Sequence, residues 1–136
     1  MDSTFITYLA LDVGDKRIGI AKTNSIARLP QPFLTLDVDI DVMEKLSKII
    51  QDEQANILVI GLPRGMDGQE TDQSRKTRDF YSEIKKKIDI NVYLIDEAGT
   101  SVKAKSELEA RKKPYQKSDV DSLAATYILE DYLNEN

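Results

Sequence analysis

The chain has 136 residues, 40% of them hydrophobic and 32% charged, with a formal net charge of −5 at pH 7. That length gives one domain a real core and is short for two, and no apolar run approaches the roughly 20 residues of a membrane span. With no cysteine and no histidine, disulfides, zinc thiolates, thiol nucleophiles and imidazole bases are excluded, which leaves catalysis to carboxylates, hydroxyls, lysines, tyrosines or a hard metal with oxygen ligands. The start of the chain has no signal-peptide apolar region, so a cytoplasmic location is expected.

Ile6 to Leu11 is a near-continuous apolar run, the pattern of a strand buried on both faces. It delivers Asp12 to a glycine-bearing turn with two cations, Lys16 and Arg17, and Arg17 to Thr23 reads as the antiparallel return strand. A carboxylate at a strand tip must be hydrated, paired or metal-bound. Pro30-Gln31-Pro32 punctuates the chain before a short third strand, Phe33 to Leu36. Asp39 or Asp41 then caps a helix whose apolar positions, Val42, Met43, Leu46, Ile49 and Ile50, recur with helical period.

Ile57 to Ile60 has the length and composition of a buried strand, ended by Gly61 and Pro63. A glycine-rich loop through Gly68 leads into a helix running to about Lys87. Asn91 to Ile95 is the next buried strand, closed by Asp96-Glu97, and a helix near Ser101 to Ala110 follows. A basic segment broken by Pro114 precedes the last helix, Asp119 to Leu133. From Lys103 to Lys117, Lys103, Lys105, Arg111, Lys112, Lys113 and Lys117 stand against Glu107 and Glu109. Tyr115 within that segment is a candidate to stack on an unpaired base.

Strands separated by helices imply right-handed parallel crossovers, and the opening hairpins add antiparallel strands. The expected architecture is α/β, a mixed five-stranded sheet flanked by helices in one domain spanning residues 1–136. Ligands on such sheets sit beyond the carboxyl ends of the strands, where Asp12, Gly61 and Glu97 all fall. Asp121, in the first turn of the last helix beside Ala124 and Ala125, joins them, although Ser118-Asp119-Val120-Asp121 also reads as a helix-capping box. Three acids at one edge need compensation, and a divalent metal, Mg2+ or Mn2+, supplies it and suits phosphodiester hydrolysis. Lys16 and Arg17 are candidate phosphate contacts, and Gly61 could admit substrate backbone.

The segments Leu11-Asp12-Val13-Gly14-Asp15-Lys16-Arg17-Ile18-Gly19-Ile20-Ala21, Val59-Ile60-Gly61-Leu62-Pro63 with Met66-Asp67-Gly68, Asp96-Glu97 with Thr100-Ser101, and Lys117 with Val120-Asp121 and Ala124-Ala125 resemble the YqgF/RuvX family in order along nearly the whole chain. The resemblance implies a ribonuclease H-like fold and a nuclease of pre-16S rRNA, a family formerly assigned as Holliday junction resolvases. It carries the acidic site onto Asp12, Glu97 and Asp121, as catalytic residues and metal ligands, and adds Lys117 to the substrate contacts. The family usually places an arginine after the Asp-Glu pair, where this chain has Ala98-Gly99. The expected partners are structured RNA or branched DNA, and ribosomal particles, with no membrane, for a monomer or homodimer. The alternatives to rRNA processing are a four-way DNA resolvase and a catalytically degenerate nucleic-acid-binding module.

Overall fold

The computed structural model describes residues 5–64 and 68–135. Among them the chain runs β1 (Thr7–Val13), β2 (Arg17–Asn24), β3 (Gln31–Asp37), α1 (Val42–Glu53), β4 (Ile57–Pro63), α2 (Asp72–Lys87), β5 (Asn91–Glu97), α3 (Thr100–Ala110) and α4 (Lys117–Glu135). Gly65, Met66 and Asp67 of the glycine-rich loop lie outside the described residues. No helix among the described residues is long and apolar enough to cross a membrane.

The five strands form one sheet in the order β3-β2-β1-β4-β5. β1 pairs antiparallel with β2 and parallel with β4, and β4 pairs parallel with β5. The central position of β1 explains its apolar run, because alternate residues face opposite layers and both are buried. Leu9 and Leu11 join Ile18, Ile20, Leu58 and Ile60 under α1 and α2. Tyr8 and Ala10 join Ala21, Val59 and Ile95 under α4. Each fully buried leucine or isoleucine stabilises the fold by about 1.5–3 kcal/mol relative to exposure.

α4 is enclosed on two sides. The sheet takes Ala125, Ile128 and Leu129, while α3 takes Leu123, Ala124 and Tyr127 against its own Ala104 and Leu108. Every residue from Ser122 to Leu129 is buried, so the helix is apolar nearly all round rather than along one stripe.

Of the boundaries that differ from the sequence expectation, three have a clear packing reason. β4 continues through Gly61 to Pro63 because Gly61, Leu62 and Pro63 pair with Ile95, Asp96 and Glu97. Pro32 lies inside β3 opposite Ala21, which an edge strand tolerates. α4 begins at Lys117, so Ser118 is already helical and does not cap it. The Ser118 carbonyl instead accepts from Thr35 Oγ1 at 2.7 Å, and the Asp119 carboxylate accepts from the Gln116 N–H at 2.8 Å.

Gly19 sets how near α4 comes to the sheet. A Cβ there would sit 2.7 Å from the Ser122 nitrogen and closer still to the Asp121 carbonyl group, and both obstacles are backbone. Gly19→Ala is expected to destabilise the protein by about 1–3 kcal/mol, an overpacking cost with no flexible side chain to relieve it. Urea denaturation checks this as a lower midpoint at unchanged slope.

Candidate active site

The parallel arrangement of β1, β4 and β5 brings three strand ends to one edge of the sheet. Asp12 shares the face of Tyr8 and Ala10, the face covered by α4. Glu97, the last residue of β5, is opposite Pro63. Asp121 enters from the first turns of α4, where Gly19 lets the helix backbone rest on β2. Asp12, Gly61, Glu97 and Asp121 line one cavity of about 270 Å³, with Arg64 and Gln73 on the side of the β4–α2 connection. Three acids from distant positions in the chain thus line a common cavity.

The carboxylates within it are held differently. Burial, and then the negative charge of Asp121, push Asp12 up to about 6. Asp121 Oδ2 accepts from Arg17 Nε at 2.6 Å, with the Asp121 side chain 19% and the Arg17 side chain 31% exposed. Glu97 is 9% exposed. Burial pushes it up to about 8, helped by a hydrogen bond with Asp131 and the charges of Asp131 and Glu135, with Lys103 opposing. At neutral pH Glu97 therefore holds a proton and donates it toward Asp131. Asp12 faces Asp121, and Glu97 is drawn toward the second half of α4. Among the described residues, no three acids are grouped closely enough to hold a single ion.

The cations also separate. Arg17 reaches the acids through Asp121. Lys16 is exposed at the hairpin tip, its carbonyl accepting from the Val38 N–H, and Lys117 is exposed at the start of α4; neither lines the cavity. Asp15 is paired across the surface with Lys76 at 3.3 Å. The missing Cβ of Gly61 leaves room for Ile128, whose Cγ1 would lie 2.8 Å from it, so this glycine serves helix packing as well as the cavity floor.

Two residues at the site were not selected from the sequence. Arg64 lines the cavity beside Ala98 and Gly99, held by Glu70 at 2.8 Å and Asp96 at 3.7 Å. Its position directly after β4 was the available signal. Asp131 was signalled only by spacing: ten from Asp121 and three from Ile128, which puts all three on one side of a helix.

This sheet order, antiparallel on one side of β1 and parallel on the other with helices on both faces, defines a ribonuclease H-like protein of the RuvC type. The fold is similar to that of the Fowlpox virus Holliday junction resolvase (12% identity, TM-score 0.58, 96% of this chain and 100% of that one). It is also similar to RuvC of Thermus thermophilus (8% identity, TM-score 0.56, 96% of each chain). At these identities the likeness is one of fold. In sequence, residues 6–135 match RuvX, described as Holliday junction resolvase. The chain is 37% identical over 128 residues to a Sulfurihydrogenibium sp. protein named "Putative pre-16S rRNA nuclease", covering 93% of this chain and 88% of that one. The chain belongs to the RuvX family, a family of nucleases.

The Asp12 environment gives a pH prediction. In the fold Asp12 keeps its proton up to about pH 6, against 3.8 for the free side chain. The folded state thus binds more protons than the unfolded state between those values, and stability falls as pH rises through them. The deficit is fully developed above that window. Asp12→Asn is expected to raise stability at pH 7 by roughly 2–3 kcal/mol and to leave it nearly unchanged near pH 3, as read by urea denaturation at both pH values.

Proposed function

We propose that the chain is a metal-dependent nuclease that hydrolyses phosphodiester bonds and processes the 5′ end of pre-16S rRNA during ribosome biogenesis in the cytoplasm. The observation that carries this reading is the half-buried Asp12 carboxylate, its pKa raised by desolvation and by the charge of Asp121, in an open cavity at the carboxyl ends of parallel strands. Two like charges so placed are costly unless protonated or offset by a cation. The donors are carboxylate oxygens, a set that suits Mg2+ or Mn2+. Asp12 and Asp121 would hold the ion, and Glu97 would complete the set once it gives up the proton it shares with Asp131. When bound, the ion supplies Lewis-acid polarisation of a phosphoryl oxygen and a lowered pKa for water.

The protein groups position the substrate around that edge. Arg17 fixes the Asp121 carboxylate in place. Arg64 presents a planar guanidinium suited to a bidentate phosphate contact, beside the Ala98-Gly99 segment that carries no cation. Lys16 and Lys117 are exposed and contact flanking phosphates, and Gly61 keeps the floor low between the strand ends. Hydrolysis adds one water across one P–O bond, leaving a phosphate on one product and a hydroxyl on the other. The names of curated relatives, which read as pre-16S rRNA nucleases, support precursor rRNA as the substrate, and the setting proposed for it is the assembling ribosomal particle.

A second reading, cleavage of four-way DNA, is supported by the family's own description. Parallel assays on precursor rRNA and four-way DNA separate the two. The expected result is RNA cleavage that needs Mg2+ or Mn2+ and falls at least about 100-fold in Asp12→Asn. A preference for four-way DNA moves the assignment to the second reading, and metal-independent binding without turnover leaves a binding module. Arg64→Ala is expected to raise KM about tenfold or more, the loss of a charge-assisted phosphate contact, measured by steady-state kinetics on whichever substrate is cleaved.

A further inference from the structure

A second cavity, of about 240 Å³, opens on the far side of α4 from the acids. Asp119, Ser122 and Leu123 line it, whereas Asp121 and Ile128 line the acidic cavity. At 3.6 residues per turn these two sets are centred about 165° apart around the helix. Leu108 and Leu123, both buried, form the floor. Pro32 and the half-buried ring of Tyr115 form walls, and Arg111 and Lys113 stand at the rim. Tyr115 is held by its hydroxyl, which donates to Glu109 at 3.1 Å, so the ring is fixed at one edge while it faces the cavity.

We infer that this cavity takes an unstacked base of a single-stranded nucleic acid whose phosphates run along the basic segment from Arg111 to Lys117. The inference rests on the nuclease reading and adds to it a second point of attachment for the strand. An apolar slot with an aromatic wall matches the flat face of a base, and a cationic rim matches the phosphate beside it. Arg111 is neutralised by Glu107, but among the described residues Lys112, Lys113 and Lys117 enter no ion pair with a carboxylate. On a chain of net charge −5, this cluster of unpaired cations marks the face toward which a polyanion is drawn. Lys117 precedes Asp121 by one helical turn and shares its side of α4. A strand leaving the acidic cavity thus crosses the start of α4 past Lys117 and reaches Lys113. The crossing is about one helix diameter, roughly 10 Å.

The test is equilibrium binding of a short single-stranded RNA in EDTA, where no metal-dependent cleavage occurs, with 2-aminopurine placed at successive positions. Wild-type protein is expected to quench 2-aminopurine at one position. Tyr115→Leu is expected to weaken binding about tenfold and abolish the quench, while Tyr115→Phe, which keeps the ring, retains both. Lys113→Ala is expected to reduce the slope of log affinity against log salt by about 0.7, one phosphate contact on a single strand. Lys113 is exposed, so its variant reports even where Tyr115→Leu proves poorly folded by thermal denaturation. Wild-type binding that Lys113→Ala and folded Tyr115→Leu leave unchanged overturns this site alone. Absence of any wild-type binding overturns the nucleic-acid reading together with it.

Discussion

The first turns of α4 rest on bare backbone at Gly19, and Ile128 fills the space that a side chain at Gly61 would take. Those two contacts set the depth at which the helix lies on the sheet. A methyl group at Gly19 would meet the α4 backbone and push the helix off the sheet, whereas one at Gly61 would displace the Ile128 side chain. The same approach buries Ala125 and Leu129 against Ala10, Ala21 and Val59, where small residues on both sides allow close packing. The apolar layer and the carboxylate arrangement are thus one constraint seen from two ends. The buried stretch of α4 holds the helix down, and its first turn carries the acid to the sheet edge.

That constraint concentrates negative charge where water is scarce. The fold offsets it unequally. Arg17 satisfies Asp121, and Asp131 shares a hydrogen bond with Glu97, but Asp12 has burial and a neighbouring anion and, among the described residues, no ion pair with a cation. Its raised pKa is the consequence. A surface ion pair such as Asp15 with Lys76 contributes little by comparison, since both side chains are 61% exposed and water already solvates them. The uncompensated group is the one in the cavity, which is where functional carboxylates with perturbed pKa values are found.

The sequence made the layers legible because their signals are local. The apolar run of β1, the helical spacing of Val42, Leu46 and Ile50, and the strand-ending acids Asp12 and Glu97 each declare themselves within a few residues. The extension of β4 through Pro63 was hidden because Gly61 and Pro63 look like a stop, and pairing with β5 overrides that local preference. The start of α4 was hidden for the same reason: Ser118 and Asp121 have capping spacing, yet the helix begins earlier and Asp121 is claimed by Arg17, 104 positions away in the chain. Partners at that separation leave no periodic trace. Gly19 likewise gives no local sign that it is a landing point for a helix, and the Glu97–Asp131 contact depends on the depth that Gly19 permits.

α4 also explains why polar function is confined to particular positions along it. From Ser122 to Leu129 the helix is enclosed between the sheet and α3, and an ionised side chain there would lose its hydration without a partner. Charged groups are therefore pushed to the two ends of that stretch. Asp119 and Asp121 stand just before it and Glu130 and Asp131 just after it. Asp121 and Asp131 fall on the side facing the strand ends; Asp121 acts on Asp12, and Asp131 with Glu135 acts on Glu97. The Glu97 hydrogen bond goes to Asp131. In the metal-dependent reading proposed above, a cation between Asp12 and Asp121 would lower the cost of ionising Glu97, and the strand-end and helix-end acids would then act as one site.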